Sequence, residues 1–234
     1  MDGFVSPHFD DAVLSCARQI ATRPGSTVVT VFSGGPDRVD PLTAWDENCG
    51  FAPGDDVPAV RAQEDEDALS SLQARASGLA FWDGQYRSGS PSRLVRAVRA
   101  RLGTGRLVPD IAETLGGVVE DLGLETVFIP LGISHPDHKL TAQACLQVAR
   151  VRPQTRWMVY EDLPYARESA EAREAAVAAV AAAGFTLEPL ALGDGVDLER
   201  KRTAIECYRS QLKALGARVE VALSAPERYH RLVA

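Results

Sequence analysis

Apolar residues follow two spacings along this chain, short unbroken runs and stretches of helical recurrence, and their alternation predicts strands interleaved with helices. Residues 3–5 read as the end of a buried strand, and Ala12, Val13, Cys16, Ala17 and Ile20 give the next segment an apolar helical face. A β-branched run over 26–32, closed by Ser33-Gly34-Gly35-Pro36, predicts the second strand and a turn. The Asp-, Pro- and Gly-rich stretch 36–58 is too long for an ordinary connection and reads as a functional lid or a disordered segment, with Trp45 and Phe51 available to dock it. Helical recurrence over 59–76 precedes a short third strand at 79–82. Segments 92–102 and 109–122 read as helices, the latter with Pro109 near its first turn. Residues 126–131 predict the fourth strand, 140–151 a helix and 156–160 the fifth strand. An Ala-rich helix over 168–183 ends at Gly184, and 185–192 suits an edge strand because it contains Pro189. A last helix over 197–215 ends at Gly216, and His230 reads as a surface residue. Strands alternating with helices predict an α/β fold with a mostly parallel, Rossmann-like sheet flanked by helices on both faces.

Composition narrows the picture. With 234 residues, 45% of them hydrophobic, and no linker in view, the chain is expected to form a single domain over 1–234. Its 25 Lys and Arg against 32 Asp and Glu give a net charge of −7, which offers no general attraction to phosphate backbones or anionic lipid, so no nucleic acid partner is expected. There is no signal-peptide series and no apolar run long enough for a membrane span, so the protein is expected to be cytoplasmic. Cys16, Cys49, Cys145 and Cys207 are far apart and form no C-x-x-C pair, which argues against a disulfide framework or a cysteine metal site.

The chemistry gathers at two strand-to-helix turns. Ser6-Pro7-His8-Phe9-Asp10-Asp11 packs an imidazole and two carboxylates into four residues where the first strand meets the first helix, the end of a parallel strand at which ligands bind. His8 and Asp11 are three apart and can converge on one cation, leaving Asp10 free to handle a proton. The alternative is that Asp10 and Asp11 only cap the helix and His8 is a buried loop histidine. The second cluster, His135-Pro136-Asp137-His138, follows the fourth strand, so three of the chain's four histidines lie in these two turns. His138 can complete the pair His8 and Asp11, Asp137 can orient a neighbouring imidazole, and His135 remains to stabilise charge. The loop Asp83-Gly84-Gln85-Tyr86-Arg87 carries an acid, a phenol and a guanidinium, groups suited to a sugar or polyol. Glu161 and Asp162 end the fifth strand near the same edge, where they contact substrate or cap a turn.

With both clusters in view, the chain resembles the PIG-L/LmbE-like N-deacetylase superfamily, whose members share a Rossmann-like fold and mostly hydrolyse an N-acetyl group from an amino sugar. Pro7-His8-Phe9-Asp10-Asp11 matches the first signature and His135-Pro136-Asp137-His138 the second, with Phe9 where proline is common. Arg61-x-x-Glu64 and, more weakly, Lys201-x-x-Ala204 with Ser210-Gln211 add two further matches. The resemblance implies that His8, Asp11 and His138 bind zinc, or another divalent metal, and that Asp10 is the general base. It implies that a protonated His135, supported by Asp137, stabilises the oxyanion, that Arg61 contacts substrate and that Asp83 reads sugar hydroxyls. Tyr86 and Arg87 join these as substrate contacts from the character of their loop. The expected substrate is a small molecule or glycan of N-acetylglucosamine type, no organic cofactor is required, and a homo-oligomer is compatible with the sequence. Three other readings compete. A dinucleotide module lacks its G-x-G-x-x-G, and two acids at the first turn would repel pyrophosphate. A non-catalytic metal protein would leave Asp10 and His135 without a task. A sister amidase cleaving a larger acyl group or a thiol conjugate would carry the same motifs.

Overall fold

The computed structural model describes residues 1–87, 93–166, 169–192 and 198–234, with the backbone alone for 93–105. The chain begins with β1 (Asp2–Ser6), α1 (Asp11–Ala21), β2 (Thr27–Thr30), α2 (Ala44–Cys49), α3 (Val57–Ser71), β3 (Arg75–Gly78) and α4 (Gly84–Arg87). Then come α5 (Arg93–Asp121), β4 (Thr126–Pro130), α6 (Pro136–Val151), β5 (Arg156–Tyr160), α7 (Leu163–Ala166), α8 (Ala170–Ala182) and β6 (Thr186–Leu190). It ends with α9 (Leu198–Glu206), α10 (Arg209–Leu215), α11 (Ala217–Ser224) and β7 (Tyr229–Val233).

The strands form one sheet in the order β3-β2-β1-β4-β5-β7-β6. β1 is an inner strand and pairs in parallel with both β2 and β4, so the chain leaves it in one direction and returns on its other side. That arrangement opens a crevice at the carboxyl ends of β1 and β4. Successive side chains of the inner strands point to opposite faces and are apolar on both, as a doubly covered sheet requires. Phe4 and Phe128, stacked at 4.5 Å, belong to the core under α1, α3 and α9, while Val5, Val127 and Ile129 belong to the core under α5, α6 and α8. Cys16 and Cys145 are fully buried packing residues, as their helical positions suggest. Among the described residues, no helix is long and apolar enough to cross a membrane.

Four local expectations are corrected. The helix expected over 59–76 stops at Ser71, Gln73 turns to φ 61°, and the third strand is Arg75–Gly78 rather than 79–82. Its sequence, RASG, has no apolar signal because it lies at the sheet edge, where only its pairing to β2 from Thr27↔Arg75 to Thr30↔Gly78 defines it. The two helices expected over 92–102 and 109–122 are one, since the backbone stays helical through Gly103 to Pro109; Ser92 lies outside the described residues, as do Glu168 and Asp197 at the starts of two later helices. The helix expected to run to 215 breaks after Glu206, because the buried Tyr208 turns in to bond the Phe9 carbonyl in the turn between β1 and α1. Finally, His230 is not a surface residue: it sits on β7, a strand antiparallel to β5 and β6, with its imidazole against Glu161 at 3.1 Å.

The long loop over 36–58 contains α2, started by a Thr43–Asp46 capping box. Trp45 does dock it, packing on the core and donating through Nε1 to Gln211 Oε1 on α10 at 3.2 Å.

Candidate active site

Because β1 and β4 are hydrogen-bonded neighbours, their two turns arrive side by side. Ser6 ties the first turn, its Oγ donating to the His8 carbonyl at 2.5 Å and accepting the Ala12 N–H at 2.9 Å. This folds the turn so that Asp11 Oδ2 accepts the His8 backbone N–H at 2.9 Å and lies 3.0 Å from His8 Nδ1. The same oxygen is 3.0 Å from His138 Nε2, so one carboxylate oxygen sits between the two imidazoles. Asp10 occupies the N-cap position of α1 but makes no side-chain capping bond, which disposes of the capping alternative for it. Burial, reinforced by Asp11, pushes the Asp10 carboxyl up to about 6.

His138 is fully buried and its two nitrogens differ. Nδ1 donates to Asp162 Oδ1 at 2.6 Å, whereas Nε2 has no hydrogen-bond partner although it faces Asp11 Oδ2. An orphaned ring nitrogen in a buried polar site is what a metal ligand leaves when its outer nitrogen is fixed by a carboxylate. Asp162 is itself held by the N–H groups of Gly132 at 2.8 Å and Ile133 at 3.0 Å. Burial opposes charge on both imidazoles, yet the acids facing them prevail: Asp83, Asp11 and Asp137 hold His8 well above its ordinary value, and Asp11 and Asp162 lift His138 to about 9. Asp11 is held well below the carboxylate range, its burial outweighed by His138 and His8.

The donor set of His8, Asp11 and His138, two imidazoles with one carboxylate oxygen 3.0 Å from a nitrogen of each, has the chemistry of a divalent cation site of the zinc type. His135 adds a third imidazole within 4.8 Å of the other two. A second grouping of His8, Asp83 and Asp137 is less suitable, because Arg61 and Arg87 already neutralise its carboxylates.

Four expected roles are revised by the surroundings of the side chains. The resemblance implies that Asp137 supports His135, but the neighbouring imidazole that its carboxylate faces is that of His8, at Nε2 and 3.2 Å, beside the Gly84 N–H at 2.9 Å and the Arg87 guanidinium. It reaches His135 only through its backbone N–H, which donates to Nδ1 at 3.2 Å. His135 was expected to be protonated, yet burial and the imidazoles of His8 and His138 push it down to about 4. With Nδ1 accepting, the neutral ring carries its hydrogen on Nε2 and is still a donor. Arg61, with 7% of its surface exposed, bonds Asp83 Oδ2 at 3.3 Å and leaves Nε buried without a partner. Tyr86 and Arg87, expected on substrate, are engaged within the protein. Tyr86 donates to Asp46 at 3.1 Å, and Arg87 binds the Trp82 carbonyl and Asp137 while lying 4.5 Å over the Phe32 ring.

The family model described as PIG-L, GlcNAc-PI de-N-acetylase, matches residues 4–149, which include both clusters. The chain belongs to the PIG-L family. A search of the curated proteins finds no match, whereas solved structures cover this PIG-L chain from end to end. A deacetylase of the teicoplanin biosynthesis pathway is 24% identical over 100% of this chain and 97% of its own, with a TM-score of 0.78. Teicoplanin deacetylase has also been solved in a zinc-inhibited form. An antimicrobial pseudoaglycone deacetylase is 28% identical over 100% and 96%, with a TM-score of 0.74. The N,N'-diacetylchitobiose deacetylase of Pyrococcus horikoshii is 18% identical over 90% and 70%, with a TM-score of 0.55. The fold is therefore that of LmbE-like deacetylases, and as a PIG-L member the chain is a hydrolytic N-deacetylase.

Asp162 is the residue of this PIG-L site that sequence reasoning left undecided. The available signal was its place at the end of β5, next to β4 in the sheet, but only the three-dimensional pairing shows that it grips His138. Asp162→Asn is expected to weaken metal binding by ~10- to 100-fold, the scale for losing an outer partner of a ligand histidine. Competition with a chromogenic chelator measures it, and unchanged affinity would remove Asp162 from this task.

Proposed function

We propose that this protein removes an N-acetyl group from an amino sugar or glycoside of N-acetylglucosamine type, releasing acetate and a free amine, with zinc held by His8, Asp11 and His138. The observation that carries this reading is a buried, uncapped carboxylate, Asp10, placed beside a three-ligand cluster. A divalent cation bound there supplies Lewis acidity, which lowers the pKa of a water and polarises an amide carbonyl. Asp10, ionised, takes the proton from the attacking water and hands it to the departing nitrogen. The Nε2–H of His135 donates to the carbonyl oxygen as negative charge gathers on it, a neutral donor that costs no prior protonation. Asp137 fixes the His8 ring and, through Gly84 and Arg87, the loop that presents Asp83. Arg61 Nε and the Asp83 carboxylate are the groups proposed to meet substrate hydroxyls. The glycopeptide and chitobiose deacetylases among the structural neighbours support a sugar-borne amide.

A panel of N-acetylated sugars and glycosides, alongside longer acyl amides and thiol conjugates, with acetate or acid release as readout, tests the reading. Zinc is best supplied stoichiometrically, given the zinc-inhibited form of the teicoplanin deacetylase. Cleavage of the longer acyl series without N-acetyl turnover would replace the deacetylase reading by the amidase one. On the accepted substrate, Arg61→Ala and Asp83→Ala are expected to cut kcat/KM by roughly 5- to 150-fold, as ~1–3 kcal/mol for each unpaired group requires. A truncated acetamide lacking the sugar should lose less, and equal losses on both would move these residues into the chemistry or the fold.

A further inference from the structure

Behind the first turn lies a hydrogen-bond chain that the chemistry above does not use. Tyr208, fully buried at the start of α10, places its Oη 2.9 Å from the Phe9 carbonyl and 2.6 Å from Asp65 Oδ1. A phenol has one hydrogen, and both neighbours are acceptors when Asp65 is ionised. One of the two would then be left unpaired in a site where neither Tyr208 nor Asp65 is more than 1% exposed, a costly arrangement. If Asp65 carries a proton, both contacts are satisfied: the acid donates to the phenol oxygen and the phenol donates to Phe9. Phe9 immediately precedes Asp10, so whatever fixes its carbonyl fixes the peptide that aims Asp10.

We propose that Asp65 is a positioning residue which, by keeping its proton, directs the Tyr208 hydroxyl onto the Phe9 carbonyl and so holds the turn that carries Asp10. The inference rests on the reading of Asp10 as the base. The groups around Asp65 agree with it. Burial pushes its carboxyl up to about 7; the Tyr208 bond and Arg61 oppose the rise, while Asp10 from the β1–α1 turn and Glu66 from α3 add to it. Burial and Asp65 keep the Tyr208 phenol protonated well above its ordinary value. Glu64, one residue from Asp65, accepts the Ser210 N–H at 2.8 Å and the Ser210 hydroxyl at 2.6 Å, which pins α10 to α3 and sets the distance at which Tyr208 meets Asp65. Ionisation of Asp65 draws the phenol hydrogen away from Phe9, so the turn loosens as pH rises through about 7.

The test compares Tyr208→Phe, which deletes the hydroxyl, with Asp65→Asn, whose amide still donates but cannot ionise. Tyr208→Phe is expected to lower kcat about tenfold with KM and metal content unchanged, the scale of one lost hydrogen bond, and to speed amide exchange over residues 9–14. Asp65→Asn is expected to keep slow exchange there and to hold its kcat above the pH at which the parent declines. Infrared difference spectra between the parent and Asp65→Asn, which cancel the band of Asp10 near pH 6, should show a carboxylic acid band that disappears near pH 7. Absence of that band, unchanged exchange in Tyr208→Phe, or an Asp65→Asn protein that behaves like Tyr208→Phe would each overturn the proposal. If no N-acetyl sugar is hydrolysed, the deacetylase reading fails, and the exchange and infrared results decide the Asp65–Tyr208 clamp on their own.

Discussion

Replacement of His138 by alanine is expected to leave a folded protein that no longer retains its metal. His138 contributes the one ring nitrogen in the cluster that is buried and without a hydrogen bond, and its near neighbour, Asp11 Oδ2 at 3.0 Å, is itself a proposed ligand of the same cation. Its removal leaves Asp11 and His8 as a two-ligand remnant, and a three-ligand site deprived of an imidazole holds an ion poorly. The loss in affinity should exceed the ~100-fold expected at most for the outer carboxylate Asp162. Folding should survive, because Asp162 keeps its two bonds to the Gly132 and Ile133 amides when the imidazole is gone. His8→Ala should behave alike, although Asp137 would lose one partner and keep Gly84 and Arg87. Elemental analysis after desalting is the measurement, with circular dichroism as the check on folding. Full metal content in both variants would sink the assignment of this cluster.

Asp10→Asn should give the opposite pairing of results, metal kept and turnover lost. The amide has the shape of the carboxyl but cannot accept a proton from water, so kcat is expected to fall by at least ~10²-fold, the usual contribution of general acid–base catalysis. Stability should not suffer. Asp10 makes no capping bond, and burial and Asp11 disfavour its ionised form by more than Arg61, His8 and its own backbone N–H favour it, so removing the charge relieves more repulsion than the attraction it gives up. A variant with normal metal content and the parent's turnover would mean that some other group receives the proton.

The parts of the site that could be read in the sequence are those whose geometry is local. His8, Asp10 and Asp11 lie within four residues, and His135 to His138 within another four, so the spacing alone confines each set to one turn. The apolar runs of β1 and β4 place those turns at strand ends. That the two turns adjoin follows from the strand order, which the alternating pattern suggests but does not dictate. Contacts between distant residues were out of reach: Asp162 meets His138 across 24 positions, and Asp65 meets Tyr208 across 143. The same limit applies to the fold. β3 is a short edge strand with Ala76 as its one apolar side chain, and β7 is recognisable only through its pairing with β5 and β6. Tyr86 and Arg87 show a related difficulty, because a polar loop residue looks alike in sequence whether its partner is Asp46, Asp137 or a sugar.

The helix break at Tyr208 shows how far the folding unit extends beyond the recognisable one. The match to the family model ends at residue 149, yet Ala204, Ile205 and Tyr208 close the core over Phe4, Ala12 and Val13, and β5 covers the outer edge of β4. A chain cut after 149 would retain His8, Asp10, Asp11, His135 and His138 in its sequence. It would also expose the apolar face of α1, lose the acid that grips His138, and leave Phe9 without the phenol that meets its carbonyl. The stretch that matches the family model is therefore only part of an apparatus, and the rest consists of residues whose partners become visible when the chain is folded.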